Sequence, residues 1–286
     1  MLEDSTAETS IYKISLNKTK LVLEAETKIP GIIINQFSLD EYNGNLRIAV
    51  TKYNSNSSED TSNNLYILDS KLSVIGSIEN MAEGEKIYSV RFIGNKGYIV
   101  TFKQIDPLFV IDLSNPIKPT VVGELKIPGY SSYLHPYDEN HIIGIGYDTL
   151  ETSYGSTINN GVKLSMFDVS DPTNPIEMFN TLIGDRATST SATYDHKAVM
   201  FSKEKNIIAI PVEQYNRKYE SKAFVYNIDL KNGFTQLGEI EEESENVTYR
   251  RIERIIYVGN NYYTFSNKFV NIVDMKTFET IKNIEL

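Results

Sequence analysis

Six times along this 286-residue chain a short apolar run closes on an acidic or amide residue and then a turn. Residues 12–16 run into Asn17, 65–68 into Asp69, 109–111 into Asp112, 164–167 into Asp168, 224–228 into Asp229 and 269–273 into Asp274. Successive marks fall roughly 40 to 60 residues apart, and a four-stranded propeller blade takes about 40–50. The runs alternate with a period of two, and no long segment keeps an apolar period of 3.6 residues. The pattern predicts an all-β chain, a β-propeller of four-stranded antiparallel blades with almost no helix.

The marks themselves read as scaffold. Residues 112–119 and 168–175 are nearly the same Asp-x-Ser-Asn/Asp-Pro-x-x-Pro turn. An aspartate at that point accepts the amide two residues on, and Pro presets the turn dihedral. A self-satisfied turn therefore outweighs a ligand role for these carboxylates.

Working back from Asp112, residues 98–103 alternate, Asn95-Lys96-Gly97 turns, and 88–93 form a first strand, while 120–127 complete the set of four. The same order gives blades at 31–80, 86–127, 129–183, 191–241 and 248–286. First strands are expected at 35–42, 88–93, 131–137, 192–201 and 249–257, with Asn43-Gly44, Glu139-Asn140 and Asn260-Asn261 as first-to-second-strand turns. Residues 10–29 supply only a third and a fourth strand. The chain thus reads as a single propeller domain over 1–286, with five complete blades and an N-terminal half-blade. The last blade already has its four strands, so two sheet edges would lie open. The expectation is a C-terminal piece of a larger propeller, the half-blade pairing with missing N-terminal sequence or with another chain.

The insertions have a side. Residues 53–64, 148–161 and 214–222 all fall between a second and a third strand, a connection that opens on the same face as the blade-to-blade linkers. They read either as recognition loops or as polar spacers.

Composition removes several classes. With no cysteine there is no disulfide, thiolate metal site or cysteine nucleophile. A net charge of −10 opposes a nucleic-acid surface. No run approaches the apolar length of a transmembrane helix, and residues 1–6 do not form a signal sequence. No Gly-x-Ser-x-Gly elbow or phosphate-cradling glycine loop is present, and Trp-based propeller motifs are impossible without Trp. No cofactor is expected.

Residues 88–146 carry strings specific enough to compare, and so do 35–42, 161–175, 183–186, 194–198 and 201–204. They resemble a bacterial and archaeal family of secreted proteins with a C-terminal β-propeller, distantly related to WD40 repeats. Some members of that family carry copper-amine-oxidase-like domains. The resemblance implies a longer protein, an extracellular or envelope-associated location and a signal outside this chain. It implies no activity and no catalytic residues.

The chemistry-bearing residues stand near the first strands, which line the channel of a propeller. His135 and His196 lie in or just before first strands and His141 begins a second; the first two can contribute to a metal site or hydrogen-bond within a wall. Asp195 and His196 are adjacent on an expected strand and so point apart, and no metal site is assigned. Gln36, Arg91, Asp185, Arg186, Arg250 and Arg251 offer either carboxylate or sulfate recognition or interblade ion pairs. Asp185-Arg186 is expected to be such a brace. The acidic run 239–245 reads as a solvated linker. The candidate ligand-binding set is Arg91, Tyr133, His135, Asp185, Arg186, Asp195, His196 and Arg251, with no catalytic residue named. The function expected is non-enzymatic extracellular binding of a protein or glycan through the insertion-bearing face. The alternative is a hydrolase or lyase, in which His135 or His196 works with channel carboxylates drawn from Asp40, Glu41, Asp138, Asp195 and Glu253.

Overall fold

A computed structural model describes residues 7–53, 60–103, 106–215, 218–241 and 251–286. The chain forms two compact units, Met1–Tyr130 with Val169–Ile176, and Ser131–Asp168 with Glu177–Leu286.

The first unit holds three sheets, each ordered as the strands occur in the chain. β1 (Glu8–Asn17) and β2 (Lys20–Pro30) form an antiparallel pair. β3 (Leu39–Tyr42), β4 (Asn45–Tyr53), β5 (Thr61–Leu68) and β6 (Val74–Met81) form a four-stranded antiparallel sheet, as do β7 (Lys86–Ile93), β8 (Lys96–Phe102), β9 (Asp106–Asp112) and β10 (Thr120–Ile127). Asn43 and Gly44 join β3 to β4 with φ of 51° and 80°. That double positive φ is what a type I′ hairpin demands and why Asn-Gly stands there.

Most of the third four-stranded sheet lies in the second unit: β11 (Tyr130–Pro136), β12 (His141–Glu151), β13 (Thr157–Asp168) and β14 (Ile176–Ile183). Next come β15 (Thr188–Ser189) and β16 (Met200–Ser202), both pairing with β17 (Ile207–Tyr215), then β18 (Tyr219–Asp229) and β19 (Gly233–Glu241). β20 (Arg254–Val258), β21 (Asn261–Phe265), β22 (Phe269–Asp274) and β23 (Thr280–Glu285) make the last sheet.

The turn aspartates behave as scaffold. Asp69 Oδ1 accepts the amides of Lys71 and Ser73, and Asp112 Oδ1 accepts that of Ser114. Asp229 Oδ1 takes Lys231, and Asp274 Oδ1 takes Lys276 and Thr277. The turns also seat on glycines. Gly76 in β6 lies under the Pro116 carbonyl, and Gly123 in β10 under that of Pro172; a Cβ on either glycine would come closer than 3.0 Å to that oxygen. Gly238 in β19 faces the Phe278 ring in the same way. Between β14 and the β18–β19 turn the sizes are exchanged, for Phe179 fills the space over Gly233. One large and one small partner at each junction is how close-packed layers interdigitate.

Aliphatic clusters fill the space between sheets. Ala49, Leu65 and Ile67 pack with Val90, Ile99 and Ile111 in the first unit; Ala209, Ala223 and Val225 pack with Ile252, Ile255 and Tyr262 in the second.

Three expectations change. The predicted first strand at 192–201 is broken: after β15 come 3₁₀ turns at Ser191–Thr193 and His196–Ala198 before β16 resumes. Thr190 Oγ1 accepts the Ala192 amide at 3.1 Å and Asp195 Oδ1 the Lys197 amide at 3.0 Å. Such local side-chain acceptors compete with a strand ladder. Asn35 does the same before a 3₁₀ turn at Gln36–Ser38, so the strand expected at 35–42 shortens to β3. Second, much of the insertions 148–161 and 214–222 is strand. β12 and β13 stay paired out to Glu151↔Thr157, and β17 and β18 out to Tyr215↔Tyr219. Of the third insertion, residues 54–59 lie outside the described residues, as do residues 242–245 of the acidic run. Third, Asp185 and Arg186 form no brace among the described residues. Both are exposed, Asp185 Oδ1 caps the Ala187 amide, and neither makes an ion pair among the described residues.

Candidate functional site

The broken strand leaves an open recess of about 200 Å³ beside β20, lined by Ser191, Tyr194, Asp195, Arg251, Glu253 and Arg254. The two 3₁₀ turns supply its first three residues, and the segment entering β20 supplies the rest. Thr190 holds the first turn, Asp195 caps the second, and buried Ile252 and Ile255 anchor the segment carrying the arginines. The Ile252 amide donates to Ser221 Oγ of β18 at 3.0 Å.

The charges are paired. Arg254 Nη2 lies 2.6 Å from Asp195 Oδ2, and Arg254 Nη1 donates to the Glu253 carbonyl at 2.7 Å. Arg251 Nε is 3.2 Å from Glu213 Oε1, and Arg251 Nη2 donates to Tyr194 Oη at 2.6 Å. Glu213, near the outer end of β17, also accepts the Tyr215 and Tyr219 hydroxyls at 3.0 and 3.1 Å. The recess is thus tied to the projecting β17–β18 hairpin.

Burial alone would raise the Asp195 carboxyl, but the Lys197 amide, the Arg254 guanidinium and the His196 charge together hold it below the usual carboxylate value. Burial and the Glu213 charge push the Tyr219 phenol well up, and Tyr215 moves the same way from burial and its bond to Glu213. Both tyrosines therefore stay protonated and donate to Glu213.

Of the predicted set, only Asp195 and Arg251 line this recess. His196 follows Asp195 in its 3₁₀ turn. Tyr133 Oη bonds His135 Nδ1 at 3.0 Å, and the His135 ring meets Phe201 edge-on at 4.5 Å. Arg91 belongs to the first unit, its guanidinium 4.5 Å above the Phe37 ring. Asp185 and Arg186 stay on their exposed turn, and Arg250 lies outside the described residues. Among the described residues no group of three or more His, Asp or Glu is arranged to hold a metal ion, and no helix is long and apolar enough to cross a membrane.

Sequence reasoning missed Ser191, Tyr194, Glu213 and Arg254. The dense charge at 251–254 was the available signal for Arg254. The others signal nothing locally. It also missed Arg47, buried between the Tyr42 and Phe92 rings, ion-paired to Asp40 and donating to the Gly94 carbonyl at 2.6 Å. Arg47 lines a second recess of about 240 Å³ with Tyr42, Asn43, Asn45, Asn95 and Ser114.

The stacked four-stranded antiparallel sheets with capped aspartate turns define a β-propeller. Residues 1–278 match the family described as Beta propeller domain, and the chain belongs to that family. It is 37% identical over 277 residues to an uncharacterised protein of Methanocaldococcus jannaschii, covering 97% of this chain and 40% of the relative. An uncharacterised protein of Archaeoglobus fulgidus is 36% identical over 278 residues, covering 96% and 39%. The chain therefore spans about two fifths of the length of these curated relatives, both of them archaeal. Among solved structures, the β-propeller domain of Cps50 (Swd1) from Myceliophthora thermophila is similar with a TM-score of 0.47 at 9% identity, over 98% of this chain and 89% of that one.

Proposed function

We propose that the chain is a non-enzymatic binding module, working outside the cytoplasm or at the cell envelope, that recognises a protein or glycan on the face bearing its projecting hairpins. One observation carries the reading. The β12–β13 and β17–β18 hairpins run on beyond their neighbours and present tyrosines there, with Tyr154 95% and Tyr215 57% exposed. Tyrosine offers large, rigid, amphipathic contact area at little entropic cost, and such residues dominate recognition surfaces. The location rests on the resemblance of residues 88–146 to secreted propeller proteins, and protease shaving of intact cells tests it. The alternative hydrolase or lyase draws less support, because neither His135 nor His196 lines the recess that holds Asp195 and Glu253.

The test trims both hairpins, replacing residues 149–159 and 215–219 each by Asn-Gly. Wild-type and trimmed proteins are compared on a glycan array and on immobilised cell-envelope extract. Retention that trimming abolishes, with unchanged circular dichroism, supports the reading; retention that survives trimming overturns this assignment of the face.

The exposed apolar side chains Tyr12, Ile14, Leu16, Leu21 and Leu23 of the β1–β2 pair suit a second role. In this proposal the pair takes up strands from the remainder of a longer polypeptide, in keeping with relatives of which this segment covers 40%.

A further inference from the structure

We propose that the recess between Tyr194 and Arg254 binds a neutral polyhydroxylated group the size of one pyranose ring. The inference rests on the binding-module reading and gives that module its ligand class. Three independent properties of the recess lead there.

The first is an unanswered hydroxyl. Ser191 is 8% exposed and lines the recess, and its Oγ is buried with no hydrogen-bond partner among the described residues. Native structures seldom keep a buried hydroxyl unsatisfied, because its desolvation is uncompensated. Rotation of the Ser191 side chain about χ1 would turn Oγ into the recess, where a ligand hydroxyl, which both donates and accepts, answers it in either sense.

The second is balanced charge. Two guanidinium groups, Arg251 and Arg254, face two carboxylates, Asp195 and Glu253, around the same space. An anion entering there meets both carboxylates, and a cation meets both arginines. A neutral polyol meets neither penalty. Its adjacent hydroxyls donate to carboxylate oxygens and accept from guanidinium N–H groups, the charge-assisted bonds that are the stronger kind. Arg251 has five donors, and its bonds to Glu213 and Tyr194 occupy two of them among the described residues. Those two bonds orient the guanidinium in advance, which lowers the ordering cost of binding.

The third is a wall of the right kind and a volume of the right size. Tyr194 is 72% exposed at the rim, yet its hydroxyl is pinned by Arg251 at 2.6 Å. An aromatic face carries negative potential, which attracts the polarised C–H bonds on the apolar face of a sugar ring. The recess, about 200 Å³ and open to solvent, gives a single ring room to enter beside that face. A longer glycan would lie across the recess, inserting one residue.

Saturation-transfer NMR tests the inference with methyl glucopyranoside, methyl mannopyranoside and methyl galactopyranoside, against sodium acetate, sodium sulfate and methylammonium as charged probes. At least one neutral glycoside is expected to saturate. Y194A is expected to weaken it by about tenfold, the size of one lost stacking contact. Y194F should weaken it less, because the ring survives, and S191A should weaken it while leaving the circular dichroism unchanged. Tyr194 is exposed, so Y194A is expected to fold. Absence of binding by all three glycosides overturns the proposal, as does equal binding to Y194A or tighter binding of acetate, sulfate or methylammonium. If Y194A is retained on the array and extract like wild type while hairpin trimming abolishes retention, the pyranose assignment falls and the binding-face reading stands.

Discussion

Substituting Gly123 with alanine tests how a turn is seated against a strand within the first unit. The added methyl would sit closer than 3.0 Å to the Pro172 carbonyl oxygen and 3.0 Å from Pro175 Cδ. Neither neighbour is a flexible side-chain end, so the whole 168–175 turn must retreat. Overpacking of this kind costs about 1–3 kcal/mol. Loss of glycine freedom in the unfolded chain returns about 0.4–1 kcal/mol, leaving a net destabilisation of about 1–2 kcal/mol. At about 2–4 °C per kcal/mol for a chain of this size, the midpoint should fall by about 3–6 °C. Urea unfolding followed by circular dichroism and tyrosine fluorescence gives the free energy. Two compact units can unfold in two steps, in which case the shift belongs to the transition of the first unit. Gly238 provides the internal comparison, because its methyl would meet the Phe278 ring at 2.8 Å. G238A should therefore cost less in an F278A background than in wild type, with a coupling above about 0.5 kcal/mol. A G123A protein as stable as wild type, or a G238A/F278A pair that is simply additive, would refute the claim that glycines seat the neighbouring turns.

Four further outcomes are expected. Arg47→Ala strips the partner from Asp40 and the Gly94 carbonyl; with Asp40 only partly buried, the loss should fall near the low end of the 3–5 kcal/mol typical of a broken buried pair, about 3 kcal/mol, read by urea titration. Burial raises the phenols of Tyr98, Tyr226 and Tyr262 to about 12. Their contribution is complete below the unfolded value of 10.0 and is lost as pH rises towards 12, so stability should decline over that range while absorbance at 295 nm lags free tyrosine. Asp195 has the opposite sign: its depressed carboxyl contributes above the ordinary value of 3.8 and loses that contribution as pH falls below it, so Asp195→Asn should flatten the acid limb of the stability profile. Finally, the chain on its own should self-associate with rising concentration through the exposed β1–β2 side chains in sedimentation velocity, and L16K combined with L21K should remove that association; an association that persists would place the contact elsewhere.

The turns and strand order were legible because their causes are local. Asp112 accepts the amide of Ser114 two residues away, and Asn43-Gly44 needs only its own dihedrals. The projecting hairpins were half legible. Residues 148–161 and 214–222 stood out as insertions, but polar composition concealed ladders that run to Glu151↔Thr157 and Tyr215↔Tyr219. The strand expected at 192–201 misled because its apolar content suits a strand, while Thr190 and Asp195 offer the backbone nearer acceptors. That competition turns on single hydrogen bonds, which a periodicity cannot register.

What the sequence by itself determined is the blade: period-two strands, the turn chemistry that closes them, and a chain without cysteine or tryptophan. Only the tertiary structure decided which side chains share a site. Ser191, Glu213 and Arg251 lie far apart along the chain, and nothing in their local surroundings relates them. They meet because β17 carries Glu213 outward to the level of the broken strand, while buried Ile252 and Ile255 dock the segment bearing Arg251 alongside it. Strand formation depends on neighbours a few residues away, whereas a site depends on how separate sheets pack, and packing is set by side-chain volumes such as the Gly123–Pro172 and Phe179–Gly233 junctions.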